Sequence, residues 1–254
     1  MELILKKIDI KYGKNHIIKN IQTKIKGGDV VTIIGPNGAG KTTLLKAVAK
    51  LIKHSGIVEL NDIEEEKLKE SFTYVPQMSV NDIDLTVFEI VLLGQIKNLK
   101  WKLEEDKLDA VAKILKKLNL SHLTYHKFSS LSGGQKQMVV MAQALISNPK
   151  VLLLDEPTSA LDLKHQLQIM ELAKKYTKET GGITIIILHD IGLAARYSDE
   201  ILLLHDGVLL QQGSPKNILD KELLGKAYDI DLEIAESESG FISIIPIKTR
   251  SKGE

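Results

Sequence analysis

The sequence predicts an α/β domain built on a mostly parallel sheet, and three features of the chain carry that expectation. Four short runs, at 30–34, 151–154, 183–188 and 201–204, are apolar almost throughout, as in strands buried on both faces. Helix-like stretches at 41–53, 104–118, 134–147 and 163–180 alternate with them, and alternation of strand and helix builds a doubly wound core. From about 78 to 148 no such strand occurs. The pattern there is helical with charged faces, as in Glu104-Glu105-Asp106-Lys107 followed by Leu108, Val111, Ile114, Leu115 and Leu118, which predicts a helical insertion in the core.

The ends add smaller elements. The opening residues, MELILKKIDIKYGK, alternate apolar and charged side chains and read as a strand, not as the continuous apolar stretch of a signal peptide. Residues 233–247 alternate in part around a Glu-Ser-Gly turn and predict a small hairpin. The longest apolar runs fall far short of the ~20 residues that span a bilayer, so association with a membrane is expected to go through a partner. Thirty-four Lys and Arg against 33 Asp and Glu leave a net charge of +1 in 254 residues, so no global field draws the chain to nucleic acid. With no cysteine there is no disulfide framework, thiolate metal site or Cys nucleophile.

The chemistry is concentrated at strand ends. Gly35-Pro36-Asn37-Gly38-Ala39-Gly40-Lys41-Thr42 follows the first apolar run and opens a helix, the context in which G-x-x-x-x-G-K-[ST] is a phosphate loop. Its glycines let successive N–H groups turn inward around an anion, and the helix start aims its positive end at the same point. Lys41 is expected on the β and γ phosphates and the Thr42 hydroxyl on Mg²⁺. Gly35, Asn37, Gly38, Ala39, Gly40 and Thr43 are the other expected nucleotide contacts in this loop, and a β-branched residue at Gly38 or Gly40 should block it.

The run 151–154 ends in Asp155-Glu156, two acids at the carboxyl edge of the sheet, where α/β ligands bind. Asp155 suits a Mg²⁺ contact and Glu156 the base that orients or deprotonates attacking water. The run 183–188 leads to His189 on the same edge, placed to sense a γ-phosphate. The other histidines, at 16, 54, 122, 126, 165 and 205, share no ligand spacing and read as surface or packing residues. Leu131-Ser132-Gly133-Gly134-Gln135 opens a further helix and offers a second set of free N–H donors. One chain then has two phosphate-binding ends, and two copies packed head to tail would complete each other's sites.

In these motifs and their order, over nearly the whole chain, the sequence resembles the ATP-binding-cassette (ABC) ATPase family, of which Leu131-Ser132-Gly133-Gly134-Gln135 is the most specific mark. The resemblance implies a P-loop NTPase core over 1–77 and 149–220 with an N-terminal antiparallel β region. It further implies a helical subdomain over 78–148 and a C-terminal extension over 221–254. It implies adenine stacking on Tyr12 and a Gln77 that contacts Mg²⁺ or the lytic water and joins insertion to core. It also implies a partner-facing Asp162 in Ser159-Ala160-Leu161-Asp162, and signature contacts to nucleotide from Ser132, Gly133, Gly134 and Gln135. The departure is Lys136-Gln137-Met138, where Arg-Gln-Arg is usual and where an Arg fork would hold carboxylates bidentately.

A narrower resemblance rests on Leu85-Thr86-Val87 with Val91-Leu92-Leu93-Gly94, on the stretch from His189 to Asp199, and on Gly213-Ser214-Pro215. These are similar to the ATPases of importers for iron chelates, haem or cobalamin. The family then implies ATP and Mg²⁺, a second copy of the chain, two transmembrane permease subunits at the cytoplasmic face of the membrane, and indirectly a substrate-binding protein. Trp101, among Lys97, Lys100 and Lys102, is a candidate contact to the membrane partner. A soluble family member acting on nucleic acid or ribosomes would need a long coiled coil or a second cassette, and the sequence has neither.

Overall fold

A computed structural model of the chain describes residues 1–61, 63–77, 84–95 and 105–250. Trp101 lies outside the described residues.

The elements run, in chain order, as β1 (Glu2–Tyr12), β2 (Asn15–Lys26), β3 (Val30–Ile34), α1 (Lys41–Val48), β4 (Ser55–Leu60), α2 (Glu65–Ser71) and β5 (Phe72–Val75). They continue with α3 (Val87–Leu93), α4 (Glu105–Lys117), α5 (Gly133–Leu145), β6 (Val151–Asp155), α6 (Leu163–Thr180), β7 (Ile183–Ile187) and α7 (Ile191–Tyr197). Last come β8 (Glu200–His205), β9 (Val208–Gly213), α8 (Pro215–Ile218), α9 (Lys221–Tyr228), β10 (Ile230–Glu236) and β11 (Ile242–Thr249). The six-stranded sheet has the order β5-β6-β7-β3-β8-β9, parallel except for the antiparallel pair β8/β9. A three-stranded antiparallel sheet, β2-β1-β4, forms the N-terminal β region, and β10-β11 is the expected hairpin.

The four apolar runs are the four inner strands, and the pleat explains why they do not alternate. Successive side chains of a strand point to opposite faces. Val31, Ile33, Leu153, Ile185 and Ile187 enter a core shared with β1, β2, β4 and α1. Val30, Ile34, Leu152, Leu154 and Ile186 enter a second core under α6 and α7. With both faces covered, nearly every position is apolar; the buried exceptions, Thr32 and Thr184, have their hydroxyls bonded to Ser198 and Thr177. Between residues 85 and 142 a third core, built on Val87, Val91, Val111, Leu115, Phe128 and Val139, holds α3, α4 and the start of α5. Helix α5 is common to two of them: Val139 and Ala142 pack into the third core while Met141, Ala144 and Leu145 pack into the second.

Three sequence-based expectations change. The first helix ends at Val48 instead of running on toward residue 53, because Lys50 takes a left-handed φ of 54° that breaks the helical ladder. Helix α5 spans Gly133–Leu145 where 134–147 is predicted. Strand β5, with its burial only partial, is an additional member of the parallel sheet.

Candidate nucleotide site

The parallel strands deliver the functional residues to one edge. Strand β3 runs into the phosphate loop, β6 ends at Asp155, β7 stops two residues before His189, and β5 stops two residues before Gln77. In the sheet β3 lies between β7 and β8, at the point where the direction of chain winding reverses, which is where open α/β sheets bind ligands.

The phosphate loop is built on glycine geometry. Gly35 has φ 146°, and a Cβ there would fall 2.1 Å from the Leu204 carbonyl oxygen. Gly40 caps α1 at φ 95°, with Ile18 Cδ1 2.6 Å from where its Cβ would be. Gly38 has φ 83° and open space around it, so a side chain there is opposed by the backbone conformation alone. Asn37 and Gly38 are exposed, Ala39 is buried, and Thr43 is half-buried in the first turn of α1.

Lys41 is 6% exposed, and its Nζ donates to the carbonyl oxygens of Gly35 at 2.8 Å and Pro36 at 2.9 Å. Burial pushes the ammonium's pKa down while the Glu156 and Asp155 carboxylates pull it back up. The group is thus a desolvated cation held by two neutral acceptors.

Both carboxylates are fully engaged. Thr42 Oγ1 donates to Asp155 Oδ1 at 2.9 Å and Tyr74 OH to Oδ2 at 2.8 Å. Burial, then the bond to Asp155, raises the pKa of Tyr74, which keeps the phenol a donor. Glu156 has φ 50°, a strained value for a side chain with a Cβ. Its Oε1 lies 2.6 Å from His189 Nε2, and its Oε2 accepts from Gln77 Nε2 at 2.8 Å. A carboxylate only accepts, so Nε2 is the donor in this contact.

Thr42 and Asp155 together form a hard-oxygen donor pair at the mouth of the phosphate loop, the chemistry that suits Mg²⁺ when phosphate oxygens and water complete the shell. Gln77 is brought to Glu156 and not to this pair. Among the described residues no cluster of three or more His, Asp or Glu side chains is arranged to hold a metal by itself.

The start of α5 is closed by a cap. Ser132 caps α5 in a reciprocal box: Gln135 N donates to Ser132 Oγ at 3.3 Å and Ser132 N donates to Gln135 Oε1 at 3.0 Å. Ser132 and Gly133 are exposed. Gly134 is buried, and its absent Cβ would fall 2.3 Å from the His165 ring. His165 is in turn held by Asp162, whose Oδ1 accepts from the His165 backbone N–H at 2.9 Å and lies 2.8 Å from its Nδ1. Those bonds, the backbone one foremost, lower the Asp162 pKa.

Residues 18–159 match the model of the ABC transporter family. The chain belongs to that family. It is 36% identical to the petrobactin import ATP-binding protein FpuC of Bacillus anthracis, over 97% of this chain and 93% of that one. It is 35% identical to the hemin import ATP-binding protein HmuV of Shewanella denitrificans, over 96% and 99%. An inward-facing metal-chelate type ABC transporter superposes with TM-score 0.86 at 27% identity, covering 96% of this chain and 97% of that chain. A dimeric ABC cassette, MJ0796, in a post-hydrolysis state with ADP and phosphate superposes with TM-score 0.69 at 31% identity, covering 84% and 98%. This ABC cassette therefore binds ATP and hydrolyses it to power transport.

Of the residues singled out in the sequence, Thr42 bonds Asp155, Gln77 and His189 bond the adjacent Glu156, and Lys41 is held by the loop carbonyls within the field of both acids. Tyr12 lies at the end of β1, 54% exposed, and Ser132 and Gly133 at the start of α5 are exposed. Two residues of this ABC cassette's site escape motif reading. Tyr74 bonds Asp155, and His165, read as a surface or packing residue, links Gly134 to Asp162. Lys136, where Arg is usual, is 7% exposed with Nζ 5.8 Å from the Phe128 ring centroid, so a cation–π contact secures the helix start there.

Proposed function

We propose that this chain drives the import of an iron chelate or haem, with cobalamin-type cargo as the remaining member of the same class. The names of the petrobactin and hemin import relatives support this reading. The observation that carries the hydrolytic part is the pair of bonded sets at the end of β6, Thr42 with Asp155 and Gln77 and His189 with Glu156, beside a buried Lys41 that feels both carboxylates. Lys41 and the loop N–H groups bind the β and γ phosphates, with Gly35, Asn37, Gly38, Ala39, Gly40 and Thr43 as the other loop contacts. Thr42 and Asp155 would hold Mg²⁺, while Gln77, bonded to Glu156, serves the side of the lytic water. When bound, the ion neutralises charge on the phosphate oxygens. Glu156 accepts a proton from the attacking water, and His189 and Gln77 orient that carboxylate.

The working unit is a head-to-tail pair. Ser132, Gly133, Gly134 and Gln135 of each copy cap the γ-phosphate held by the other, with Asp162 at the seam; the exposed signature turn and the dimeric cassette relative support this. Residues 1–77 and 149–220 act as the core, 78–148 as the helical subdomain and 221–254 as the extension. Two permease subunits at the cytoplasmic face receive the motion, and a substrate-binding protein acts through them. A cleft of 360 Å³ between β5 and α5, lined by Tyr74, Pro76, Val140 and Gln143, is the candidate seat for the permease. Among the described residues no helix is long and apolar enough to cross a membrane.

The test is to tag the chain, solubilise native membranes gently and identify what co-purifies. A many-span hydrophobic subunit is expected; recovery with ribosomes or DNA and no membrane partner would overturn the reading. Tyr12 gives a second, smaller expectation. Its exposed ring at the end of β1 is free to stack on adenine, and base stacking contributes about 1–3 kcal/mol. Tyr12→Ala should weaken ATP binding by roughly 5- to 150-fold, read by titration with a fluorescent ATP analogue, while an unchanged dissociation constant would place the base elsewhere.

A further inference from the structure

Asp155 is 3% exposed, and its carboxylate is held at each oxygen by a different hydroxyl. Thr42, on Oδ1, belongs to the phosphate loop. Tyr74, on Oδ2, belongs to no nucleotide motif and comes from β5, the neighbour of β6 in the sheet. The χ2 torsion of an aspartate is broad and nearly two-fold, so one bond leaves a carboxylate free to present either oxygen. Two donors on opposite oxygens fix it.

We propose that Tyr74 is a positioning residue for the Mg²⁺ carboxylate: its hydroxyl locks Asp155 so that Oδ1 stays turned toward Thr42. This rests on the reading of Thr42 and Asp155 as the metal-holding pair. The same short segment reaches the other acid, because Gln77, three residues on, donates to Glu156. Tyr74 also lines the cleft between β5 and α5. A displacement of β5 from that cleft is therefore transmitted to both carboxylates at once, through one hydroxyl and one amide.

The experiment measures the affinity of the purified chain for a non-hydrolysable ATP analogue, first in EDTA and then in saturating Mg²⁺, for wild type, Tyr74→Phe and Asp155→Asn. The ratio is the gain in nucleotide affinity that the ion confers. Removing the partner that orients a metal ligand typically costs 10- to 100-fold in metal affinity. For Tyr74→Phe we expect the affinity in EDTA to stay at the wild-type value while the magnesium gain falls about tenfold. If Tyr74→Phe keeps the full gain while Asp155→Asn loses it, Tyr74 does not position the carboxylate and the inference is overturned, with the metal reading intact. A full gain in both variants overturns the metal reading and the inference with it. A Tyr74→Phe variant that loses thermal stability and EDTA affinity but keeps its magnesium gain assigns Tyr74 to packing alone and also overturns the proposal.

Discussion

Glu156→Gln should bind ATP as the wild type does, hydrolyse it about 10²- to 10⁴-fold more slowly, the range of a positioned general base, and accumulate as an ATP-bound dimer. The substitution is nearly isosteric. The Gln carbonyl still accepts from His189 Nε2, and Gln77 meets the new NH₂ by turning its own amide over. What is lost is the ability to take a proton from water at the end of β6. Lys41, Thr42 and the loop N–H groups are untouched, so binding and closure proceed and the step that reopens the pair does not. Phosphate release measured alongside size-exclusion chromatography with ATP checks both halves. Normal turnover would remove Glu156 from the role of base and leave His189 as the group to examine.

The local signals survived folding well because they were of two robust kinds. A strand covered on both faces is apolar at nearly every position, so Val30–Ile34 and Ile183–Ile187, each broken only by one threonine, could be read without knowing their neighbours. The phosphate loop could be read because Gly35 and Gly40 stand where a Cβ would collide or the backbone turns left-handed. What stayed illegible was set by non-local contact. Strand β5, Phe-Thr-Tyr-Val, is four residues long at the edge of the sheet, with Phe72, Thr73 and Tyr74 only partly buried, so its period and hydrophobicity do not separate it from a loop. Tyr74 acquires its role only when β5 lies beside β6, 81 positions away from Asp155. His165 could have been found: Asp162 three residues before it is an N-cap pattern, and α6 does begin there, but nothing in the sequence says that Gly134 packs on its ring.

That contact makes Gly134→Ala the second large expected effect. A methyl group at 134 would sit 2.3 to 2.6 Å from three atoms of the His165 imidazole, well inside van der Waals contact. Swinging the ring aside breaks its Nδ1 contact with Asp162. Either α5 shifts, carrying Ser132 and Gly133 with it, or His165 drags Asp162 and the loop before α6. Both movements disturb the face that a second copy must meet. Overpacking of this kind costs about 1–3 kcal/mol, and as far as that strain falls on the dimer face it is roughly 5- to 150-fold in the association constant. ATP binding to the monomer at Lys41 should be unaffected, whereas ATP-dependent dimerisation and hydrolysis should fall together. Gly133, next to it, has no atom within 4 Å of its would-be Cβ, so Gly133→Ala causes no clash within the monomer, and any loss there would come from the partner's side. The double variant Gly134→Ala with His165→Ala removes the clash and should recover a large part of the activity, as expected for two residues coupled by direct contact. Wild-type hydrolysis by Gly134→Ala alone, or no recovery in the double variant, would show that the signature turn and Asp162 are not linked through His165.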